Sequence, residues 1–224
     1  MGEKETFLKA ARGYGHNGSY ELDKMERMIE KALNGDLLEC EFEAVRSMEM
    51  LEYYQKDLFC AMVGWSIPTR EWIRSMELLV RELTGKERPR VWKLAAGRGH
   101  LQAVFAARGI SWVSTDNASW EIGKGSGLKM DALTALAEVE HDLVFWSWWP
   151  YKNAGDQRIL DHLMADHVPA IFVGEGWDGW TGTSAVYERA EDAEVLKAAN
   201  DWAFFTDLPS WSGVNDYTQV IKPR

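Results

Sequence analysis

The spacing of apolar residues divides the chain into two parts that meet near residue 85. In the first part, apolar side chains recur every three or four positions, as on one face of an amphipathic helix. One such stripe ends near Asn34-Gly35, and another ends at Gly85. Residues 1–85 are therefore predicted to form an arm and a helical extension, which serves as a lid or pairs two subunits. The predicted helices cover residues 22–33, about 38–62, and 72–83.

From residue 86 onward, short apolar runs alternate with helical stripes. This alternation predicts a mostly parallel α/β sheet wound by right-handed crossovers and flanked by helices, in one domain over residues 86–224. The run at 142–146 is apolar throughout, as expected for a strand buried on both faces. Predicted strands lie at 91–95, 110–115, 142–146, 170–173, 202–205 and 217–221, with a short one ending at Met130-Asp131. Predicted helices lie at 101–105, 132–137, 159–164 and 183–199.

The net charge, the cysteines and the lengths of the apolar runs disfavour several classes of protein. The 224 residues carry a formal net charge of −10, which disfavours binding to bulk nucleic acid because that affinity comes mainly from phosphate neutralisation. Cys40 and Cys60 are the only cysteines and lack CxxC spacing, so a reducing, cytoplasmic location is expected. The polar, glycine-containing first 20 residues do not resemble a signal peptide, and the longest apolar run, 143–150, is too short to span a membrane.

Several common sites are disfavoured by their missing motifs. Counting from Gly97, the third glycine of a dinucleotide-binding turn is replaced by Gln102. No Gly-Lys-Ser/Thr follows P-loop spacing, and no Gly-x-Ser-x-Gly elbow is present. The histidines lack His-Glu-x-x-His spacing, so no metal site is expected.

The turn after the first predicted strand, Ala95–His100, is the first candidate site. Glycines let the backbone approach a ligand closely, although Gly97 and Gly99 could also serve only the strand-to-helix turn. Asp116 ends the second strand, 19 residues after Gly97. An acidic residue at about this distance accepts hydrogen bonds from ribose hydroxyls, and the alternative is that it caps the following segment.

Three further strand ends carry candidate residues. Asp131 could accept a hydrogen bond from an adenine amino group or could cap a helix. Trp148-Trp149-Pro150-Tyr151 follows the buried strand and forms either a substrate pocket or ordinary packing. Glu175, between Gly174 and Gly176, has either a role in the site or a place on a tight turn.

In order along the chain, these motifs resemble those of the Rossmann-like class I S-adenosylmethionine-dependent methyltransferases, as a divergent member. The resemblance spans roughly residue 64 to the end of the chain. It rests on Ser66-Ile67-Pro68, 93–99, 148–151, Gly174-Glu175-Gly176 with Thr181-Gly182, and 208–213.

The resemblance implies a cofactor and roles for the residues. S-adenosylmethionine would be bound through Lys93, Ala95, Ala96, Gly97, Gly99, Asp116, Asn117 and Asp131. Trp148, Trp149, Pro150, Tyr151 and Glu175 would form the catalytic region, where a loop orients an amino nitrogen and an aromatic ring stabilises its cationic form. The acceptor itself, an amino nitrogen or another small nucleophile, is not identified by the sequence.

The departures from the family pattern leave two alternatives open. Lys93 replaces an acidic residue, Ala95 replaces a glycine, and Trp148 and Trp149 replace Asn or Asp and a proline. A charged lysine would be repelled by the sulfonium unless it points away or pairs with a carboxylate. The alternatives are therefore an inactive methyltransferase-like protein that holds a protein partner through its acidic, tryptophan-rich surface, and an enzyme that uses the same cofactor for other chemistry.

Overall fold

A computed structural model describes most of the chain. The described residues are 19–39, 52–117, 127–150, 152–175, 179, 181–184, 186–188, 208–211, 214, 216–221 and 223. The predicted strand at 202–205, most of the predicted helix at 183–199, and Cys40, Tyr151 and Gly176 lie outside them. No helix in the described part of the chain has the length and apolar character needed to cross a membrane.

Three helices precede the sheet: α1 (Ser19–Leu33), α2 (Glu52–Met62) and α3 (Arg70–Thr84). The apolar stripes of α1 and α2 meet in one buried cluster that also contains Trp211, near the end of the chain. Thr69 caps α3 by accepting a hydrogen bond from the backbone of Trp72 at 3.4 Å, and Gly85 ends it at φ 64°. The predicted ends of the first and third helices are thus confirmed.

The prediction that the second helix begins near Leu38 is wrong. Leu38 forms an isolated parallel bridge with Thr69, and its backbone N–H donates to Pro68 at 2.9 Å. Its side chain is fully buried in the cluster formed by α1 and α2. An apolar residue that packs from an extended segment has the same appearance in sequence as one on a helix, so the periodicity was misleading here.

The remaining described elements alternate between strand and helix. They are β1 (Arg90–Leu94), α4 (His100–Ala106), β2 (Ser111–Asp116), β3 (Leu128–Lys129), α5 (Ala132–Glu138), β4 (Leu143–Ser147), α6 (Gly155–Ala165), β5 (Ala170–Gly174) and β6 (Tyr217–Ile221). The short third strand was predicted to end at Met130-Asp131, and it ends one residue earlier than Met130 because the backbone turns there into α5.

The six strands form one sheet in the order β3-β2-β1-β4-β5-β6. All neighbouring pairs are parallel except β5 and β6, which are antiparallel. This confirms the predicted mostly parallel, Rossmann-like α/β fold. In such a sheet the chain winds outward in both directions from β1 and β4, and ligands bind beyond the carboxyl ends of the strands at this switch point.

Each face of the sheet is covered by helices. Helices α3 and α4 pack against the face that carries Val91, Phe145 and Val173. Helices α5 and α6 pack against the opposite face, which carries Trp92 and Trp146. Because strand side chains alternate between faces, the residues at each strand end can be assigned to one face or the other.

Candidate cofactor-binding site

The turn between β1 and α4 adopts left-handed backbone conformations. Gly97 has φ 54° and Gly99 has φ 71°, as the two glycines predict. Ala95 has φ 47°, so this alanine adopts the conformation that a glycine would take more readily. A left-handed alanine costs roughly 1–2 kcal/mol, and the fold sustains that cost at the switch point.

Asp116 is tied directly to this turn. Its Oδ2 accepts a hydrogen bond from the backbone N–H of Gly97 at 2.8 Å. The neighbouring amide, that of Ala96, donates to the carbonyl of Thr115 at 3.0 Å. The end of β2 and the glycine turn are therefore held together, which brings the two predicted parts of the site into contact.

A cavity of about 300 Å³ opens beside Asp116. This volume lies at the lower end of the range typical of small-molecule sites. Its wall combines one carboxylate with apolar side chains from both sides of the switch point. The lining residues are Ala95, Thr115, Asp116, Asn117, Met130, Ala132, Trp149, Pro150 and Asn153.

Five of the candidate residues line this cavity: Ala95, Asp116, Asn117, Trp149 and Pro150. They come from the turn after β1, from the end of β2 and from the loop after β4. The first three were predicted to bind the cofactor and the last two to form the catalytic region, and the structure brings both groups to the same cavity. Ala96, Gly97 and Gly99 form the turn beside it without being part of the lining.

Four lining residues were not among the candidates. Met130 and Ala132 flank Asp131, and Thr115 directly precedes Asp116. Asn153 enters because its backbone carbonyl accepts a hydrogen bond from Trp149 Nε1 at 2.8 Å, which fixes the loop after β4. The alternation of strand side chains could have indicated Thr115, whereas Asn153 depends on a loop conformation that no sequence pattern gives.

Asp131 is the N-cap of α5. Its carboxylate accepts hydrogen bonds from the backbone of Leu133 and Thr134, both at 3.1 Å, and from the Thr134 hydroxyl. The Thr134 hydroxyl bond lowers the pKa of Asp131. Asp131 is exposed and does not line the cavity, although both of its neighbours do.

The loop after β4 sends its two tryptophans in different directions. Trp149 lines the cavity and packs in the core on the α5 and α6 face. Trp148 adopts φ 56° and stacks on Trp65, with ring centroids 4.2 Å apart and an interplanar angle of 21°. The loop was predicted to act as one substrate loop, but its two tryptophans lie in two different environments.

Glu175 directly follows β5. Its backbone N–H donates to Thr181 Oγ1 at 2.8 Å, which links the end of the strand to the segment that resembles the family's Thr-Gly motif. Glu175 does not line the cavity beside Asp116.

Lys93 is buried, with 2% of its surface exposed, and lies on the sheet face covered by α3 and α4. Its Nζ donates to Ser147 Oγ at 2.9 Å and lies 4.9 Å from the centroid of the Phe145 ring. Burial lowers the pKa of Lys93 to about 7, and the charge of Asp116 acts in the opposite direction. The lysine that departs from the family pattern is therefore placed where its neutral form is more populated than it is in water.

Comparisons with known proteins gave only distant structural matches. No protein-family model and no curated protein matches this chain. The chain is similar to a plantazolicin methyltransferase, BpumL, solved with a pentazolic desmethylPZN analog and SAH, at 8% identity over 90% of this chain and 99% of that chain, with a TM-score of 0.47. It is also similar to the magnesium protoporphyrin IX methyltransferase of Synechocystis solved with bound SAM, at 11% identity over 81% of this chain and 94% of that chain, with a TM-score of 0.43.

A SAM-dependent methyltransferase from Archaeoglobus fulgidus is also similar, at 13% identity over 69% of this chain and 95% of that chain, with a TM-score of 0.39. At these identities and TM-scores, the similarity assigns neither an activity nor a substrate to this chain.

Proposed function

We propose that this chain is an S-adenosylmethionine-dependent methyltransferase that acts on an amino nitrogen or another small nucleophile beside its tryptophan-rich loop. The observation that carries the proposal is the bond between Asp116 and the Gly97 amide, which holds the turn and the end of β2 together beside a cavity at the switch point of the sheet. When bound, S-adenosylmethionine supplies an electrophilic methyl group on a sulfonium. The residues of the chain have to bind and orient that group and exclude water from it.

The chemistry of the cavity fits an adenosyl group. Asp116 presents a carboxylate that can accept hydrogen bonds from two adjacent ribose hydroxyls. Met130, Ala132 and Pro150 provide apolar surface for the faces of a flat base. The Gly97–Gly99 turn would hold the methionine part, since its glycines leave the backbone open to close approach.

The environment of Lys93 also supports the proposal. A charged lysine near the sulfonium would oppose binding of the cofactor. Burial lowers the pKa of Lys93 to about 7, so a large fraction of the amine is uncharged at neutral pH, and that form does not repel a cationic cofactor. In its uncharged form, Lys93 in place of the acidic residue is therefore compatible with binding of the cationic cofactor.

Calorimetric titration of the chain with S-adenosylmethionine and S-adenosylhomocysteine tests the proposal. We expect both to bind with micromolar dissociation constants and one site per chain. Turnover is then followed as S-adenosylhomocysteine formed in the presence of small amines. A chain that is folded by circular dichroism and gives no heat with either compound would overturn the proposal.

The adenine contact predicted for Asp131 has its own test. Because its carboxylate caps α5, we expect Asp131→Ala to lower the free energy of unfolding, measured as a lower midpoint of urea denaturation. The dissociation constant of S-adenosylhomocysteine is measured on the same variant. An affinity loss of about tenfold or more would support the adenine contact, and an unchanged affinity would limit Asp131 to its capping role.

A further inference from the structure

A second group of polar side chains lies at the carboxyl edge of the sheet, on the face covered by α3 and α4. Val173 of β5 and Val220 of β6 belong to the core on that face. Val173 pairs with Thr218 across the two strands. Continuing this register by two residues places Glu175 opposite Asp216. Side chains two residues apart in a strand share a face of the sheet. Thr218, Glu175 and Asp216 therefore lie on the same face as Val173 and Val220, and Glu175 and Asp216 lie beyond the core at the edge of the sheet.

The group continues across β4 to β1. Ser147, at the end of β4, lies opposite Val173 in the register of the sheet. Its Oγ accepts a hydrogen bond from Lys93 and lies 3.0 Å from the Oγ of Ser66, which comes from the segment before α3. We name the group of Lys93, Ser147, Glu175, Asp216 and Thr218 the polar shelf.

Two buried atoms of the polar shelf have unused hydrogen-bonding capacity. Thr218 is only 4% exposed, and its Oγ1 has no hydrogen-bond partner among the described residues. Asp216 Oδ2 accepts a hydrogen bond from Ser210 at 3.3 Å, whereas the buried Oδ1 has no partner within the same part of the chain. Buried polar atoms in folded proteins are nearly always paired, so adjacent unpaired atoms indicate a place for a polar ligand.

The charged groups around the polar shelf indicate whether the ligand is a cation or an anion. The pKa of Asp216 is raised to about 7, mainly by burial; the hydrogen bond from Ser210 and the charge of Lys56 act to lower it, and the charge of Glu175 adds to the increase. Two neighbouring carboxylates repel each other and are stabilised together by a cation. Lys93 is the one lysine of the polar shelf, and burial lowers its pKa to about 7, so it carries only part of a positive charge at neutral pH; Lys56, outside the shelf, is a second cation that acts on Asp216.

Two stacked tryptophans, Trp65 and Trp148, lie beside the serine end of the polar shelf. Trp148 directly follows Ser147, and Trp65 directly precedes Ser66. The two stacked tryptophans are therefore the chain neighbours of the two serines whose hydroxyls form a hydrogen bond. Trp65 is 38% exposed, and Lys56 already places its ammonium group 6.0 Å from the ring centroid. Indole faces attract ammonium groups, which adds an apolar, cation-tolerant surface next to the carboxylates.

We propose that the polar shelf is the acceptor site, and that it binds a protonated amine whose ammonium group lies between Glu175 and Asp216, with Thr218 as a further hydrogen-bond partner. This rests on the proposed function and specifies its substrate class as a primary or secondary amine carrying an apolar or aromatic group. Asp216 also receives a proton. An N–H bond of the ammonium breaks, the proton forms an O–H bond on Asp216 Oδ1, and the electron pair stays on nitrogen. That pair then forms the N–C bond to the methyl group, while the pair of the broken C–S bond returns to sulfur.

The test compares a matched cation and neutral molecule on the full chain. The probes are 2-phenylethylammonium and 2-phenylethanol, which have the same carbon skeleton, titrated at neutral pH and followed by calorimetry and tryptophan fluorescence. We expect the ammonium to bind about tenfold or more tightly than the alcohol, a difference of about 1.4 kcal/mol. Asp216→Asn and Glu175→Gln should each reduce this preference to about threefold or less, and Asp161→Asn, on the exposed side of α6, should leave it unchanged.

The outcomes distinguish a failure of the proposed acceptor site from a failure of the proposed cofactor binding. Absence of ammonium binding, equal binding of the two probes, or a preference unchanged in both shelf variants would overturn the acceptor site. Binding of S-adenosylhomocysteine to the same variants is measured in parallel, because its cavity does not include Glu175 or Asp216. Retained cofactor binding shows that the variants are folded, so a lost ammonium preference is then assigned to the shelf itself. Failure of the cofactor titration on the unmodified chain would instead remove the methyltransferase proposal.

Discussion

Replacing Asp116 with alanine is expected to weaken the binding of S-adenosylmethionine about 100-fold, because hydrogen bonds to a charged carboxylate contribute about 1.5–3 kcal/mol each. The change removes both the proposed ribose acceptor and the bond that holds the Gly97 amide at 2.8 Å. Affinity is measured by calorimetry on the folded variant, for S-adenosylmethionine and for S-adenosylhomocysteine. The two compounds should lose affinity to a similar extent, since they share the same ribose.

Two further variants separate the causes of this loss. Asp116→Asn retains an oxygen that can accept from Gly97 but removes the charge, so it should lose less affinity than the alanine variant. Asp161→Ala, an exposed carboxylate on α6, controls for the change in net charge. An unchanged affinity in Asp116→Ala would contradict the placement of the ribose and would require another position for the cofactor.

Much of this site was predictable because it depends on local features of the chain. Gly97 and Gly99 supply the backbone freedom of the turn, and the end of the second apolar run positions Asp116. Parallel strands bring their carboxyl ends to one edge of the sheet, so the turn and Asp116 were expected to meet. Met130 and Ala132 line the cavity for a related reason, since β3 ends beside β2. Which of the side chains after β3 face the cavity was not predictable from the sequence.

The parts that were missed depend on long-range packing. Leu38 has helical spacing in the sequence, and only its pairing with Thr69 shows that it is extended. Asp216 was not a candidate because it precedes the final strand, where a parallel sheet would place it at the opposite edge. The antiparallel direction of β6 instead brings Asp216 next to Glu175. A single reversed strand therefore brings together two members of the polar shelf, Glu175 and Asp216, that lie 41 positions apart in the sequence.

Replacing Lys93 with methionine is expected to stabilise the protein, most strongly at and below neutral pH. Burial lowers the pKa of Lys93 from 10.5 to about 7, so the folded chain disfavours the charged amine that the unfolded chain retains. The associated cost is about 3–5 kcal/mol below pH 7, because each pKa unit corresponds to about 1.4 kcal/mol. The cost decreases as pH rises from about 7 to 10.5, where the unfolded chain also loses the proton.

Methionine has a similar volume and no charge, so it should fill the space beside Phe145. Loss of the bond to Ser147 offsets about 1 kcal/mol of the gain, although Ser147 retains its contact with Ser66. The net increase in unfolding free energy should therefore be about 2–4 kcal/mol at pH 6, which raises the melting temperature by roughly 4–16 °C for a chain of this length.

The pH dependence distinguishes this explanation from simple improvement of packing. The difference between Lys93→Met and the unmodified chain, measured by urea denaturation, should shrink steadily between pH 7 and 10.5. Lys129→Met, an exposed lysine on β3, should produce no such trend. A stability gain that is constant with pH would mean that the lysine is not held in a neutral form. A charged amine would then lie in β1, near the turn along which the methionine part of the cofactor is proposed to bind. The same measurement thus tests whether the departure of Lys93 from the family pattern is compatible with binding a sulfonium.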